Sequence, residues 1–160
     1  MCKTRKEVFR KIVDQTCRMP VSCSCELCKN MCHTPCLGTP QDILALIDAG
    51  YADKLCYTEW LVGMILGFCD TSIAMVQIKE EGDWCVFYHD GLCELHDKGL
   101  KPTEGQLASH IALPMERKPE YNLTFQVAKE WGDENLDVVK EIVRKLSVYW
   151  DSKETAHKEP

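Results

Sequence analysis

Five cysteines, Cys23, Cys25, Cys28, Cys32 and Cys36, crowd one stretch of the chain that has no hydrophobic periodicity. From Val21 to Gly38 the chain is rich in Ser, Asn, His, Pro and Thr, so no buried stripe can organise it. A lone cysteine is often only a small buried hydrophobe. Several in a segment poor in core-forming residues are better explained by a metal that does the organising. Thiolates are soft, strongly donating ligands suited to zinc and to iron–sulfur clusters. Cys25-Glu26-Leu27-Cys28 has the tight spacing common in such sites, whereas the Cys28, Cys32 and Cys36 intervals are looser. The spacing leaves the choice between zinc and an iron–sulfur cluster open, and the one-residue gap between Cys23 and Cys25 leaves Cys23 undecided.

A second group lies far downstream. Asp90-Gly91 suits the positive φ angles of a two-residue hairpin turn. That turn pairs Tyr88 with Cys93 and, if the ladder continues, Cys85 with His96, so thiols sit on both strands. The expected metal ligands are therefore Cys25, Cys28, Cys32, Cys36, Cys85 and Cys93, converging on a shared centre. His96, in Cys93-x2-His96, is an even choice between nitrogen ligand and ordinary hairpin residue; His33, His89 and His110 rank below it. Cys2, Cys17, Cys56 and Cys69 stand among apolar or helical neighbours and read as non-ligands.

With 160 residues the chain can bury a core without covalent staples, and 45% hydrophobic against 28% charged residues is globular composition. The net charge of -6 opposes a phosphate backbone and no basic patch relieves it, so nucleic acid is not an expected partner. The apolar run from Trp60 to Cys69 is half a membrane span and carries two glycines, so no membrane partner is expected. The basic start Met1 to Glu7 lacks the apolar run of an export signal. A cytoplasmic setting follows as the expectation, and there eleven cysteines serve as ligands or redox groups rather than as a disulfide framework.

Helical spacing of Val8, Phe9, Ile12 and Val13 predicts a first helix over 4–17. Thr39-Pro40-Gln41-Asp42 is a helix start with its own cap, and Gly50 a left-handed stop. The middle has β character, with strands expected at 61–66, 73–78, 84–88 and 92–95 and turns at 80–83 and Asp90-Gly91. Helices return at 103–112, at 121–131 and in a final amphipathic segment marked by Leu136, Val139, Val143 and Leu146. The prediction is an α+β fold: one metal-binding domain over 1–150, with a cysteine-rich core at about 21–110, C-terminal helices at 121–148 and a polar tail at 151–160. A small antiparallel sheet or hairpin carries the docked cysteine loop, flanked by N- and C-terminal helices.

The two cysteine segments resemble those of the CxxCxxCC proteins, a family described as zinc- or iron-chelating domains. The likeness rests on Cys25-x2-Cys28-x3-Cys32-x3-Cys36-Leu37-Gly38-Thr39-Pro40 and on Cys85-Val86-Phe87-Tyr88-His89-Asp90-Gly91-Leu92-Cys93-Glu94-Leu95-His96, followed by Lys101-Pro102. It spans roughly residues 23–110. The adjacent Cys-Cys pair of that family is replaced here by the spaced Cys32 and Cys36, and Thr103-Glu104-Gly105 stands where a cysteine follows the late proline, so the number of ligands is open. The resemblance implies a chelating domain and, through the similar flagellin lysine methylases, an iron–sulfur-dependent alternative. No glycine-rich phosphate loop supports carrying that methyl transfer over.

The expected function is thus a metal-binding domain, structural or accessory, with a zinc or iron–sulfur cofactor. A metalloenzyme or redox protein is the alternative, with Glu26, His33, His89, Asp90, Glu94 and His96 as neighbouring acid–base candidates. A protein partner is a third possibility, through Trp60, Trp84, Trp131 or Trp150, although tryptophan in a small domain is usually core.

Overall fold

The computed structural model describes residues 3–156 and is α+β. In chain order the elements are α1 (Arg5–Thr16), α2 (Glu26–Asn30), α3 (Pro40–Asp48), β1 (Leu55–Trp60), α4 (Val62–Ile65), β2 (Ile73–Ile78), β3 (Glu80–Glu81), β4 (Trp84–Cys85), β5 (Tyr88–His89), β6 (Leu92–Cys93), α5 (Thr103–Leu107), α6 (Leu123–Lys129) and α7 (Leu136–Ala156). The strands form two-stranded antiparallel ribbons, β1 with β2, β3 with β4 and β5 with β6.

Local chemistry explains the long helices. Thr4 caps α1 and Thr39 caps α3, each in a reciprocal box with an acidic residue three positions on, Glu7 and Asp42. Pro40 occupies the first turn of α3, where its missing N–H costs nothing. The buried faces of these helices, Val8 and Ile12 on α1 and Ile43 and Leu46 on α3, meet Val127 of α6, Ile142 and Leu146 of α7 and Leu55 and Val76 of the first ribbon. Each such side chain contributes about 1.5–3 kcal/mol by leaving water. Trp60 and Trp131 belong to this core; the indole N–H of Trp131 donates to the Gly38 carbonyl at 2.9 Å and ties down the end of the cysteine loop.

Asp42 is a fully buried hub. Besides capping α3 it accepts from Arg5 Nε at 2.6 Å and from the Thr103 N–H at 2.9 Å. The same guanidinium donates to the carbonyls of Gly99 and Lys101 at 2.7 and 2.8 Å. One carboxylate thus fixes α1, α3 and the entry to α5 relative to one another.

Several expectations are corrected. The 61–66 run is not a strand: β1 ends at Trp60, where its pairing with β2 runs out opposite Ile73, and the following residues turn into the short α4, with Gly63 packed close against the Trp60 ring. A Cβ at Gly63 would fall 2.6 Å from that ring. The Asp90-Gly91 turn forms with φ of 50° and 83° and pairs Tyr88 with Cys93, but the ladder stops there. Cys85 pairs instead with Glu80, across a separate hairpin turning at Gly82, so Cys85 and His96 are not partners. The loop 21–38 contains the short helix α2 and a 3-10 turn, Met31–His33. The tail expected from residue 151 continues α7 to Ala156, and its last four residues lie outside the described residues, as does Cys2.

Candidate metal centre

Every described cysteine is a free thiol. Three of them, Cys23, Cys25 and Cys28, meet His110, and the ligand atoms of these four residues lie within 4.8 Å of one another. His110 Nδ1 is 3.1 Å from Cys28 Sγ and 3.5 Å from Cys25 Sγ. Cys25 occupies the N-cap position of α2 and Cys28 sits on its first turns, so the two-residue spacing turns both sulfurs to one side. The backbone N–H of Cys28 favours the Cys25 thiolate and holds that thiol below its ordinary value, with the Cys23 thiol adding to the effect. Cys28 is held above its ordinary value, first by desolvation.

Long-range contacts bring His110 to this loop from 82 residues away in the chain. The Val21 N–H donates to the Gln106 carbonyl at 2.9 Å, which lays the start of the cysteine segment along the end of α5. The buried Arg18 then grips the next stretch, donating to the carbonyls of Leu107 and Ile111 on either side of His110 and pairing with Glu116. The histidine is therefore held by bonds at both flanks of its loop.

Cys32, Cys36, Cys85 and Cys93 lie next to this group rather than in it. Together with Cys23 and Cys28 they line one cavity of about 400 Å³, which Lys101, Glu104 and Gly105 also line. Burial pushes the thiols of Cys32 and Cys36 up, and that of Cys85 up to about 11. Each also feels the negative charge of others of the same set: Cys32 that of Cys93, Cys36 that of Cys85 and Cys93, and Cys85 that of Cys93 and Cys32. Glu104 is a desolvated carboxylate with a raised pKa; it accepts from the Leu37 N–H and the Thr124 hydroxyl and faces Cys36.

The other candidates are elsewhere. His33 stacks on Trp84 with ring centroids 3.3 Å apart and hydrogen-bonds the Asp83 carbonyl through Nδ1. His89 faces Glu94 at 3.6 Å. His96 lines a different cavity, with Pro20, Ser22 and Gln106. Cys17 caps the end of α1 in the left-handed conformation, Cys56 lies on β1, and Cys69 donates its thiol to the Thr71 carbonyl.

Four donors this close are what one four-coordinate ion requires: with Zn–S bonds of about 2.3 Å, tetrahedral ligands stand about 3.8 Å apart. The described residues can hold a metal here.

No family model, curated protein or solved structure matches the chain. The chemistry of the site therefore rests on its own geometry. His110 joins the three sulfurs although nothing in its sequence neighbourhood signals a ligand.

Proposed function

We propose that this chain is a zinc-binding protein in which Cys23, Cys25, Cys28 and His110 form a structural centre. The observation that carries the reading is the convergence of three sulfurs and one imidazole nitrogen from segments 82 residues apart in the chain. A closed set of three thiolates and one histidine is a common structural zinc site, with no position left for a reacting molecule. The ion would join the cysteine loop to the residues that follow α5, a helix that the loop already meets through two main-chain hydrogen bonds, Val21 N–H to the Gln106 carbonyl and Glu104 N–H to the Leu37 carbonyl, and that Arg18 grips at Leu107. An accessory role in a reducing, cytoplasmic setting belongs to the same proposal, because exposed thiols such as Cys23 and Cys25 stay ligands only where they are not oxidised. So does kinship with the CxxCxxCC chelating proteins, which share the early cysteine cluster. No helix among the described residues is long and apolar enough to cross a membrane.

The test is metal analysis with an absorption spectrum on protein purified without oxygen. Colourless protein carrying zinc is the expected result, with Cys28→Ser losing the zinc at this centre and Cys69→Ser retaining it. A Cys28→Ser protein with full zinc content would overturn the assignment. Iron and sulfide released together from the Cys28 site would favour the iron–sulfur alternative related to the flagellin lysine methylases.

A further inference from the structure

Eight donors surround or adjoin the cavity, and a tetrahedral ion takes four. The group of Cys23, Cys25, Cys28 and His110 is complete in itself. That leaves Cys32, Cys36, Cys85 and Cys93, which come from the 3-10 turn after α2, the entry to α3, β4 and β6. All four line the same cavity. We propose that these four cysteines form a second, separate four-thiolate metal centre, so that the chain carries two centres rather than one shared ion.

Several features fit this assignment beyond the count of sulfurs. The ribbon β5–β6 pairs Tyr88 with Cys93 and the ribbon β3–β4 pairs Glu80 with Cys85, so two short hairpins each present one thiol to the cavity. Two-stranded ribbons of this size are marginal alone, and a bound ion is a sufficient staple. The Phe87 N–H, two residues past Cys85, is directed at the Cys85 sulfur and favours its thiolate. Lys101 lies close enough to favour the thiolates of Cys32 and Cys36, offsetting the excess negative charge that four thiolates give a divalent ion.

Gly105 makes the room. A Cβ there would stand 2.7 Å from Cys36 Sγ and 3.1 Å from Lys101 Cε. The position is free of positive φ, so the glycine answers a need for space and not for an unusual backbone. Any side chain at residue 105 would press the Cys36 sulfur out of its place. Metal binding would displace the thiol protons to solvent, and each sulfur would contribute a lone pair to the metal.

This inference is independent of which metal the Cys23 group holds, and a single experiment separates the two. The reduced, metal-free full chain is titrated with Zn²⁺, and bound zinc per chain is counted for wild type, Cys28→Ser, Cys85→Ser, Cys93→Ser and Gly105→Ala. Circular dichroism confirms that each variant is folded; Cys93→Ser, at a partly exposed position, serves if Cys85→Ser does not fold. Two zinc ions per wild-type chain are expected, one in each cysteine variant, and weakened binding of one ion in Gly105→Ala with the other unchanged. One zinc lost with Cys28→Ser and kept in Cys85→Ser and Cys93→Ser would overturn the second centre and leave the Cys23 centre intact. One zinc kept in Cys28→Ser and lost with Cys93→Ser would overturn the Cys23 centre instead. A single zinc lost in every cysteine variant would overturn the division into two.

Discussion

Arg18 touches none of the four converging donors, yet it decides where one of them stands. Its guanidinium holds the carbonyls of Leu107 and Ile111, and between them the backbone carries His110 to the sulfurs of Cys25 and Cys28. Residues that merely orient a metal ligand are worth about 10–100-fold in affinity. Arg18→Ala is therefore expected to weaken zinc at this centre by about that factor while every ligand remains, measured by competition with a chromophoric chelator. Unchanged affinity would mean that the loop holds its shape without the arginine.

The buried thiols give the metal-free protein a distinct response to alkali. Cys36 and Cys85 ionise above their ordinary range because burial disfavours the thiolate, Cys85 only at about 11. A group whose folded pKa is raised lends its full stability below the unfolded value and loses it as the pH climbs through the folded one. The metal-free chain is expected to lose melting temperature steadily from pH ~9 to ~11. With metal bound the thiolates are already formed, and that alkaline loss should be much smaller. Acidification acts the other way, because protons compete for the same sulfurs and release the metal.

At the level of elements, the longer helices were legible, the short α2 and α4 were not, and the ribbons were legible only in part. Thr39, Pro40 and Asp42 announce α3 within four consecutive positions, and its observed start is the one these residues dictate. The Asp90-Gly91 turn was equally local, and it formed with the expected register. What failed needed distant information. Leu61 to Leu66 reads as a strand by composition, but a strand requires a partner, and β2 ends its pairing at Ile73 opposite Trp60. The Cys85–His96 pairing assumed a hairpin longer than two pairs, whereas Cys85 found Glu80 instead. His110 was illegible for the same reason: its role depends on Val21 lying beside Gln106 and on Arg18 reaching across, neither of which leaves a mark in spacing.

Asp42 shows how firmly the elements are joined. It is fully buried, and it answers the N–H of Thr39, the N–H of Thr103 and the guanidinium of Arg5. Asp42→Asn leaves the arginine without its counter-charge and turns one acceptor into a donor facing other donors. The expected cost is about 3 kcal/mol, read as a lowered denaturation midpoint at unchanged slope. A loss below about 0.5 kcal/mol, the size of an ordinary surface change, would contradict the role of a hub.

Across the whole molecule one core joins the helices to the hairpin segment, since Phe87 and Leu95 are buried with the helical side chains, while α2 buries nothing of its own. Val8, Ile12, Ile43, Leu46, Val127, Ile142 and Leu146 bury one another among α1, α3, α6 and α7. The described residues of α2, by contrast, include no buried side chain, and the hairpins β3–β4 and β5–β6 are two pairs long each. Chelating the metal is expected to leave most of the helical circular dichroism in place while limited proteolysis begins to cut within 21–38. Global unfolding on chelation would mean that the helices depend on the centre as much as the loop does.

The convergence of Cys23, Cys25, Cys28 and His110 on one ion is open to a direct reading by cadmium–proton NMR correlation on the cadmium-loaded chain. The expected spectrum contains a cadmium resonance coupled to the Cβ protons of Cys23, Cys25 and Cys28 and to the ring protons of His110. A cadmium resonance that couples Cys25 and Cys28 to Cys32, Cys36, Cys85 or Cys93, with His110 uncoupled, would contradict it.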